Sequence, residues 1–296
     1  MPARLHLIDG TFELYRAHLS KRPDLRSPEG VDVKATVGVV SSLLSLLHDE
    51  SEAVTHLAVA FDNPIRSFRN DLFDGYKSDL GVPPELRAQF DLVERAVAAI
   101  GVVVWSMDRF EADDALATGA ARYGAEFDQV RIYTPDKDLG QCLDGQRVVQ
   151  VDVIRKRVID EAAMRARRGI APASIPDYLA LVGDVADGIP GVPGIGEKTA
   201  AALLAAYGHL EAIPKDPALW SVKVRGADAI AASLSAMQRE AILYRTLATL
   251  VRDVPLRETT RDLEFAGVPR EAFTRWCSEI GAPDSVRARG LSEKDA

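Results

Sequence analysis

Residues 102–124 read VVVWSMDRFEADDALATGAARYG. The opening VVVWS is a β-branched and aromatic run of strand length. From Ala112 the Ala/Leu-rich stretch ADDALATGAARYG has the length and composition of a helix. Between the two, Glu111, Asp113 and Asp114 fall within four positions. Three like charges repel one another, and the helix would fold without most of them. The chain thus concentrates anionic oxygen at the end of a strand for a purpose beyond helix formation.

The same alternation extends on both sides. RLHLID (4–9), HLAVAFD (56–62), VRIYTPD (130–136) and VVQVDV (148–153) read as further strands. ATVGVVSSLLSLLHDE (35–50) and ELRAQFDLVERAVAAIG (85–101) read as helices between them. Strand–helix alternation predicts an α/β fold, a mainly parallel sheet flanked by helices. From about Ile175 the pattern turns almost wholly helical, with DYLALVGD, EKTAAALLAAYG and AIAASLSAMQREAILYRTLATLV separated by Gly/Pro corners. The division is placed at 1–172 and 173–296, with SVRARGLSEKDA as a loose tail.

Composition sets limits. The 296 residues are 47% apolar and 27% charged, ordinary for a globular chain of about two domains. No apolar run approaches the roughly 18 residues that span a bilayer, and the N-terminus enters a strand pattern directly, so no membrane is expected. Cys142 and Cys277 match no metal or redox spacing, as in a cytoplasmic protein with free thiols. The net charge of −8 by itself argues against a polyanionic partner, unless the acids are gathered in one place.

They are gathered. The strands end in Asp9, in Asp62 and, through Thr134-Pro135, in Asp136, with Asp138 two residues on. Asp184 and Asp187 sit in GDVADG after an apolar helix. In a parallel sheet the carboxyl ends share one edge, where binding crevices form. For any single acid, helix capping is the simpler account. For Asp9, Asp62, Asp113, Asp136 and Asp138 together, metal ligation is the better one. Oxygen-only ligands suit Mg²⁺ or Mn²⁺, and two such ions about 4 Å apart stabilise both oxygens of a phosphodiester displacement.

A second signal is GIPGVPGIGEKTAAALL, residues 188–204. Gly191, Gly194 and Gly196 allow tight turns, and the helix from Glu197 points free N–H groups forward, with Lys198 and Thr199 in its first turn. The stretch reads as a hairpin between helices gripping a nucleic-acid backbone without reading bases, while taken alone it is equally open to being a mere helix–turn–helix corner. It is no P-loop, because Glu197 stands where Lys would follow the second glycine and no strand precedes it.

LIDGTFELYR, AFDNPIRSFRNDLFDGYKSDL, RFEADDALA, YTPDKDL and LVGDVADGIPGVPGIGEKTAAALL occur in that order, and together the chain resembles the bacterial 5′→3′ exonucleases. These are flap-endonuclease-like enzymes that include the N-terminal nuclease domain of DNA polymerase I. The resemblance runs from about Leu5 to Ile213. It implies a PIN-like nuclease domain with a short helical arch about 66–92, then a helical domain whose helix–hairpin–helix motif lies about 178–207. It implies two metal ions, Mg²⁺ or Mn²⁺: Asp9, Asp62, Glu111 and Asp113 about one, Asp136, Asp138 and Asp187 about the other. Asp113 would lie between the ions, and Asp114 and Asp184 would act through water or hydrogen bonds. It further implies Lys77 on the scissile phosphate, a catalytic role for Arg69, Tyr76 stacked on the terminal base, and a K⁺ ion at the hairpin. Three positions depart from the family pattern: Leu80 for an arginine, Pro135 for a small residue, and Gly188 for an asparagine. Setting the nine acids aside moves the net charge from −8 to +1, which removes the objection to a DNA partner.

The expectation is a monomeric, cytoplasmic, nucleoid-associated exonuclease with flap-cutting capacity. It would act on DNA with 5′ ends, flaps or nicks, and on RNA/DNA hybrids, and leave a 5′-phosphate and a 3′-hydroxyl beside a polymerase and a ligase. The chain ends where polymerase I would continue, as expected of a stand-alone nuclease. Two alternatives stay open: a catalytically silent DNA-structure binder, and a ribonuclease of the PIN type.

Overall fold

A computed structural model describes residues 3–292. In chain order the elements are β1 (Arg4–Asp9), α1 (Gly10–His18), α2 (Lys34–Leu47), β2 (His56–Asp62), α3 (Arg69–Leu72), α4 (Pro84–Arg87), α5 (Phe90–Ala99), β3 (Val103–Met107), α6 (Ala112–Tyr123) and β4 (Gln129–Tyr133). There follow β5 (Val148–Asp152), β6 (Arg157–Ile159), α7 (Glu161–Arg168), α8 (Ile175–Val182), α9 (Glu197–Tyr207), α10 (Ala227–Ala236), α11 (Gln238–Ala248), α12 (Arg270–Ile280) and α13 (Asp284–Gly290). Two compact units result: one of residues up to Arg66, Asp79–Thr134 and the segment from Arg252, the other of Ser67–Ser78 and Pro135–Val251.

In the first unit four parallel strands run in the order β3-β2-β1-β4. Their sequences are nearly continuous apolar runs because helices cover the sheet. Leu5, Leu7, Leu57, Val59, Val130 and Ile132 are all buried. Parallel register aligns Asp9 with Ala60 and Asp62 with Met107, so the acid-bearing ends share one edge. The expected mainly parallel sheet with flanking helices is therefore present.

The second unit holds the antiparallel pair β5–β6 and a helical cluster in which α8 packs on α9 and α11. Leu179, Leu181, Leu203, Leu204 and Leu247 form its core. The three-residue β6, which begins at Arg157, is too short to show a period and was not anticipated.

The linear division at 172/173 differs from this partition. The chain returns to the first unit after Val251: Val254 N–H donates to Thr118 Oγ1, Arg122 to the Leu256 carbonyl, and the Tyr123 hydroxyl to the Glu258 carbonyl. There α12 packs on α5 and α13 on α2. The stretch expected as a loose tail is helical over Asp284–Gly290, with Val286 buried, while residues 293–296 lie outside the described residues. A helix's own periodicity shows which face is buried, not which layer receives it. The expected arch, 66–92, holds the four-residue helices α3 and α4 on either side of an irregular stretch, then the start of α5.

Among the described residues, no helix is long and apolar enough to cross a membrane.

Candidate metal centre and nucleic-acid interface

In the first unit each strand-end acid is held by the helix that follows a strand. Asp9 Oδ1 accepts the Phe12 N–H at 2.8 Å and caps α1, while Oδ2 accepts the Thr134 hydroxyl at 2.9 Å. Asp62 takes the Ala112 N–H at 2.8 Å, and its own N–H donates to Thr11 Oγ1. Asp114, fully buried, accepts the Glu111 N–H at 3.0 Å; Asp113 is half-buried beside it in the first turn of α6. Capping and ligation are compatible here. A carboxylate has about four acceptor sites, so one or two bonds fix its orientation and leave capacity.

In the second unit the acids come closer. Asp138, Asp184 and Asp187 present oxygens that all lie within 4.8 Å of one another. Asp138 is placed by the turn after Pro135, where its N–H donates to Asp136 Oδ1. Asp184 and Asp187 are placed by a loop closed on itself, with reciprocal 2.8 Å bonds between the backbones of Asp184 and Ile189. Lys77 Nζ lies 3.0 Å from Asp187 Oδ1, and Lys137 Nζ 2.5 Å from Asp184 Oδ2. Among the described residues no cation lies within ion-pair distance of Asp138, though the Lys137 charge acts on it. Asp138 is buried, and its Oδ1 has no hydrogen-bond partner. Burial, then the charges of Asp136, Asp187 and Asp184, pushes its carboxyl well above the usual carboxylate range. An orphaned buried oxygen among three carboxylates fits a hard divalent cation, for which all-oxygen donors are the preferred set.

Several placements differ from the sequence expectation. Asp184, expected to act through water or hydrogen bonds, has a carboxylate oxygen within 4.8 Å of oxygens of Asp138 and Asp187, in the loop that the 184–189 backbone bonds close. Asp136 is exposed. No comparable trio forms among Asp9, Asp62, Glu111, Asp113 and Asp114, all of them described residues. Arg69 does not present its guanidinium to a substrate: it is 1% exposed and donates to the carbonyls of Leu247 and Thr249. Tyr76 is likewise buried, within the helical core, rather than open for base stacking. Leu80 is 89% exposed. Thr134 and Thr11, which hold Asp9 and Asp62, were missed; a threonine beside a strand-end acid is the one signal that marks them.

The glycine hairpin divides into two parts. Gly191 (φ +77°) and Gly183 (φ +87°) approach so closely that a Cβ on Gly191 would stand 2.6 Å from Gly183 N. With the Val192 N–H bonded to the Leu181 carbonyl at 2.8 Å, this part packs the chain on itself. Gly194 and Gly196 face open space, where a Cβ would meet nothing within 4 Å. From Gly196, which offers no side-chain cap, α9 begins with Lys198 exposed and the Thr199 N–H bonded back to the Gly196 carbonyl. The outward half is the part free to meet a ligand.

A parallel sheet with acids at its strand ends, an oxygen-only trio and a glycine hairpin opening a helix are parts that a metal-dependent nuclease uses. Residues 4–169 match the 5′-3′ exonuclease N-terminal resolvase-like domain and residues 170–271 the 5′-3′ exonuclease C-terminal SAM fold, and the chain belongs to this 5′-3′ exonuclease family. DNA polymerase I of Bacillus caldotenax is 34% identical over 287 residues, covering 95% of this chain and 32% of that protein. That of Pseudomonas aeruginosa is 36% identical over 288 residues, covering 94% and 30%. The chain thus spans about a third of the length of these relatives. Among solved structures, T5 5′-exonuclease with bound divalent zinc aligns with TM-score 0.66 at 19% identity, over 97% of both chains. The catalytic core of Rad2 in complex with DNA substrate aligns with TM-score 0.62 at 13% identity, over 98% and 92%. At these identities the likeness is one of fold.

Proposed function

We propose that the chain hydrolyses DNA phosphodiesters from 5′ ends and at flaps or nicks, leaving a 5′-phosphate and a 3′-hydroxyl. The observation that carries this reading is the trio Asp138, Asp184 and Asp187, to which Asp138 brings a buried Oδ1 without a hydrogen-bond partner. Asp138, Asp184 and Asp187 would hold one divalent ion, Mg²⁺ or Mn²⁺, with Asp136 at its edge. Asp9, Asp62, Glu111 and Asp113 would hold a second, on family likeness, with Asp114 fixing Glu111 through its N–H. When bound, such ions supply charge neutralisation and acidify water at the phosphorus.

The protein's own groups do the rest. Lys77 carries a positive charge to the phosphate, where negative charge grows during displacement. Arg69 acts as a positioning residue: it ties the 67–78 stretch to Leu247 and Thr249, and Asn70 Nδ2 donates to the Lys77 carbonyl at 2.8 Å. Gly194, Gly196, Lys198 and Thr199 take the duplex backbone, and the hairpin carbonyls are the place for K⁺. The protein would act as a monomer on nucleoid DNA in the cytoplasm. Its ends are those that a polymerase extends and a ligase seals.

The test is purified protein on labelled 5′-flap, nicked and hybrid duplexes with and without Mg²⁺ or Mn²⁺. Metal-dependent release is expected. An Asp136→Asn/Asp138→Asn variant should bind DNA and cut none; a variant as active as wild type would overturn the assignment. Cleavage confined to RNA would point to the ribonuclease reading.

A further inference from the structure

Helix α7 ends in Arg165, Arg167 and Arg168. Arg165 is accounted for, since its Nε lies 2.7 Å from Glu161 Oε1 one turn back. Arg167 and Arg168 form no ion pair with any described residue. Both line a cavity of about 460 Å³ with Lys198 from the first turn of α9, and with Lys137, Tyr178 and Glu197. With Lys137 paired to Asp184, three bases (Arg167, Arg168 and Lys198) stand against one acid, Glu197, a marked excess for a chain of net charge −8. Helix dipole alone does not explain it, because one or two cations at a helix C-terminus contribute a few tenths to about 1 kcal/mol and need no shared cavity.

The cavity selects by charge. Its one aromatic ring, Tyr178, is buried, and the Arg168 guanidinium sits over it, 5.7 Å from the centroid. That face is therefore not open to a base or nucleoside. What remains is a set of ammonium and guanidinium groups with the uncapped amides of α9, which suits phosphate oxygens. Lys137 also reaches Asp184, so the groove starts at the acid trio itself.

We infer that this groove seats backbone phosphates of the duplex beyond the glycine hairpin, with Arg167 and Arg168 as its principal cations. The inference rests on the DNA reading above and adds two residues and a direction to it. The duplex backbone runs from the acid trio past Lys137, along the mouth formed by the end of α7 and the start of α9.

The experiment compares wild type with Arg167→Ala/Arg168→Ala and with Arg167→Lys/Arg168→Lys. Anisotropy titrations in EDTA use a nicked duplex and a single strand of equal length over a salt series, with kcat and KM measured in Mn²⁺. The alanine pair should weaken duplex binding by about 10-fold or more and lower the salt slope by about 2, one per lost phosphate contact. KM should rise with kcat unchanged, single-strand binding should stay at the wild-type value, and the lysine pair should recover most of the loss. Unchanged duplex affinity and salt slope, in a protein that still cuts DNA, would overturn this inference and leave the nuclease reading intact. A wild-type protein that cuts nothing overturns the nuclease reading instead. Displacement of duplex by micromolar inorganic phosphate would reassign the groove to a free anion.

Discussion

Lys77 is joined to Asp187 twice: its ammonium lies 3.0 Å from Oδ1, and its backbone N–H donates to the Asp187 carbonyl at 3.0 Å. The backbone bond fixes where the lysine starts, and the ion pair holds its charge beside the acid trio without locking it there. Asp187 is also one of the three residues that would hold a divalent ion, so Lys77 presents its ammonium beside the place where a phosphate would meet the trio. Lys77→Met should therefore lower kcat by about 10²–10³-fold, the loss typical of one donor to a growing oxyanion. Melting should shift little, since the pair is partly solvated. A kcat within a few-fold of wild type would exclude the role.

Gly188 (φ +74°) has no room for a side chain: a Cβ there would stand 2.0 Å from the Gly75 carbonyl oxygen. This gives the departure from asparagine a physical cause, because backbone occupies the space. Gly188→Asn should destabilise the protein by about 2 kcal/mol or more and displace the 75–77 backbone, taking Lys77 with it. Denaturant titration measures the first effect and kcat the second; a variant as stable as wild type contradicts the geometry.

The Asp138 carboxyl, raised by burial and by its neighbours' charges, stays protonated to higher pH in the fold than in the unfolded chain. Its contribution to stability is thus present at low pH and lost as pH rises through the raised value. A bound divalent ion reverses that trend. Mn²⁺ at 100 times its Kd should add about 2.7 kcal/mol, and at a fixed Mn²⁺ concentration the gain should grow with pH. Calorimetric scans with and without Mn²⁺ test this, and Asp138→Asn should abolish most of the gain.

Glu52 shows the opposite sign. The His6 imidazole at 3.5 Å, then the Tyr133 hydroxyl at 2.5 Å and Arg131 Nε at 2.9 Å, hold its carboxyl down to about 2 against burial. Burial also depresses His6, so at neutral pH the imidazole is uncharged and Tyr133 and Arg131 carry the interaction. The stabilisation is complete above the ordinary value of 4.5 and disappears as pH falls through about 2. Glu52→Gln should cost about 1–3 kcal/mol at pH 7, and the two unfolding curves should converge in that acid window. Parallel curves down to pH 2 would show that the carboxylate charge is not what matters.

Arg69 should behave as a structural residue. Arg69→Met would leave the Leu247 and Thr249 carbonyls without this donor, costing about 1–3 kcal/mol each where buried. At a temperature where the variant is folded, kcat should fall less than for Lys77→Met. An equal loss in both, with wild-type stability for Arg69→Met, would restore Arg69 to the chemistry.

The sequence alone determined the parallel sheet, the acids at its strand ends and the glycine hairpin. These are local facts: an apolar run flanked on both faces by helices, an acid at a fixed chain position, a glycine where a turn must be tight. Tertiary structure decided which acids crowd together, because Asp138, Asp184 and Asp187 come from a turn and a self-closed loop whose orientation no spacing encodes. It also withdrew Arg69 and Tyr76 from the surface and sent the segment after Val251 back to the first unit. Burial and partnership are properties of what a residue faces, and for Asp138, Arg69 and the segment after Val251 the facing group lies far away in sequence.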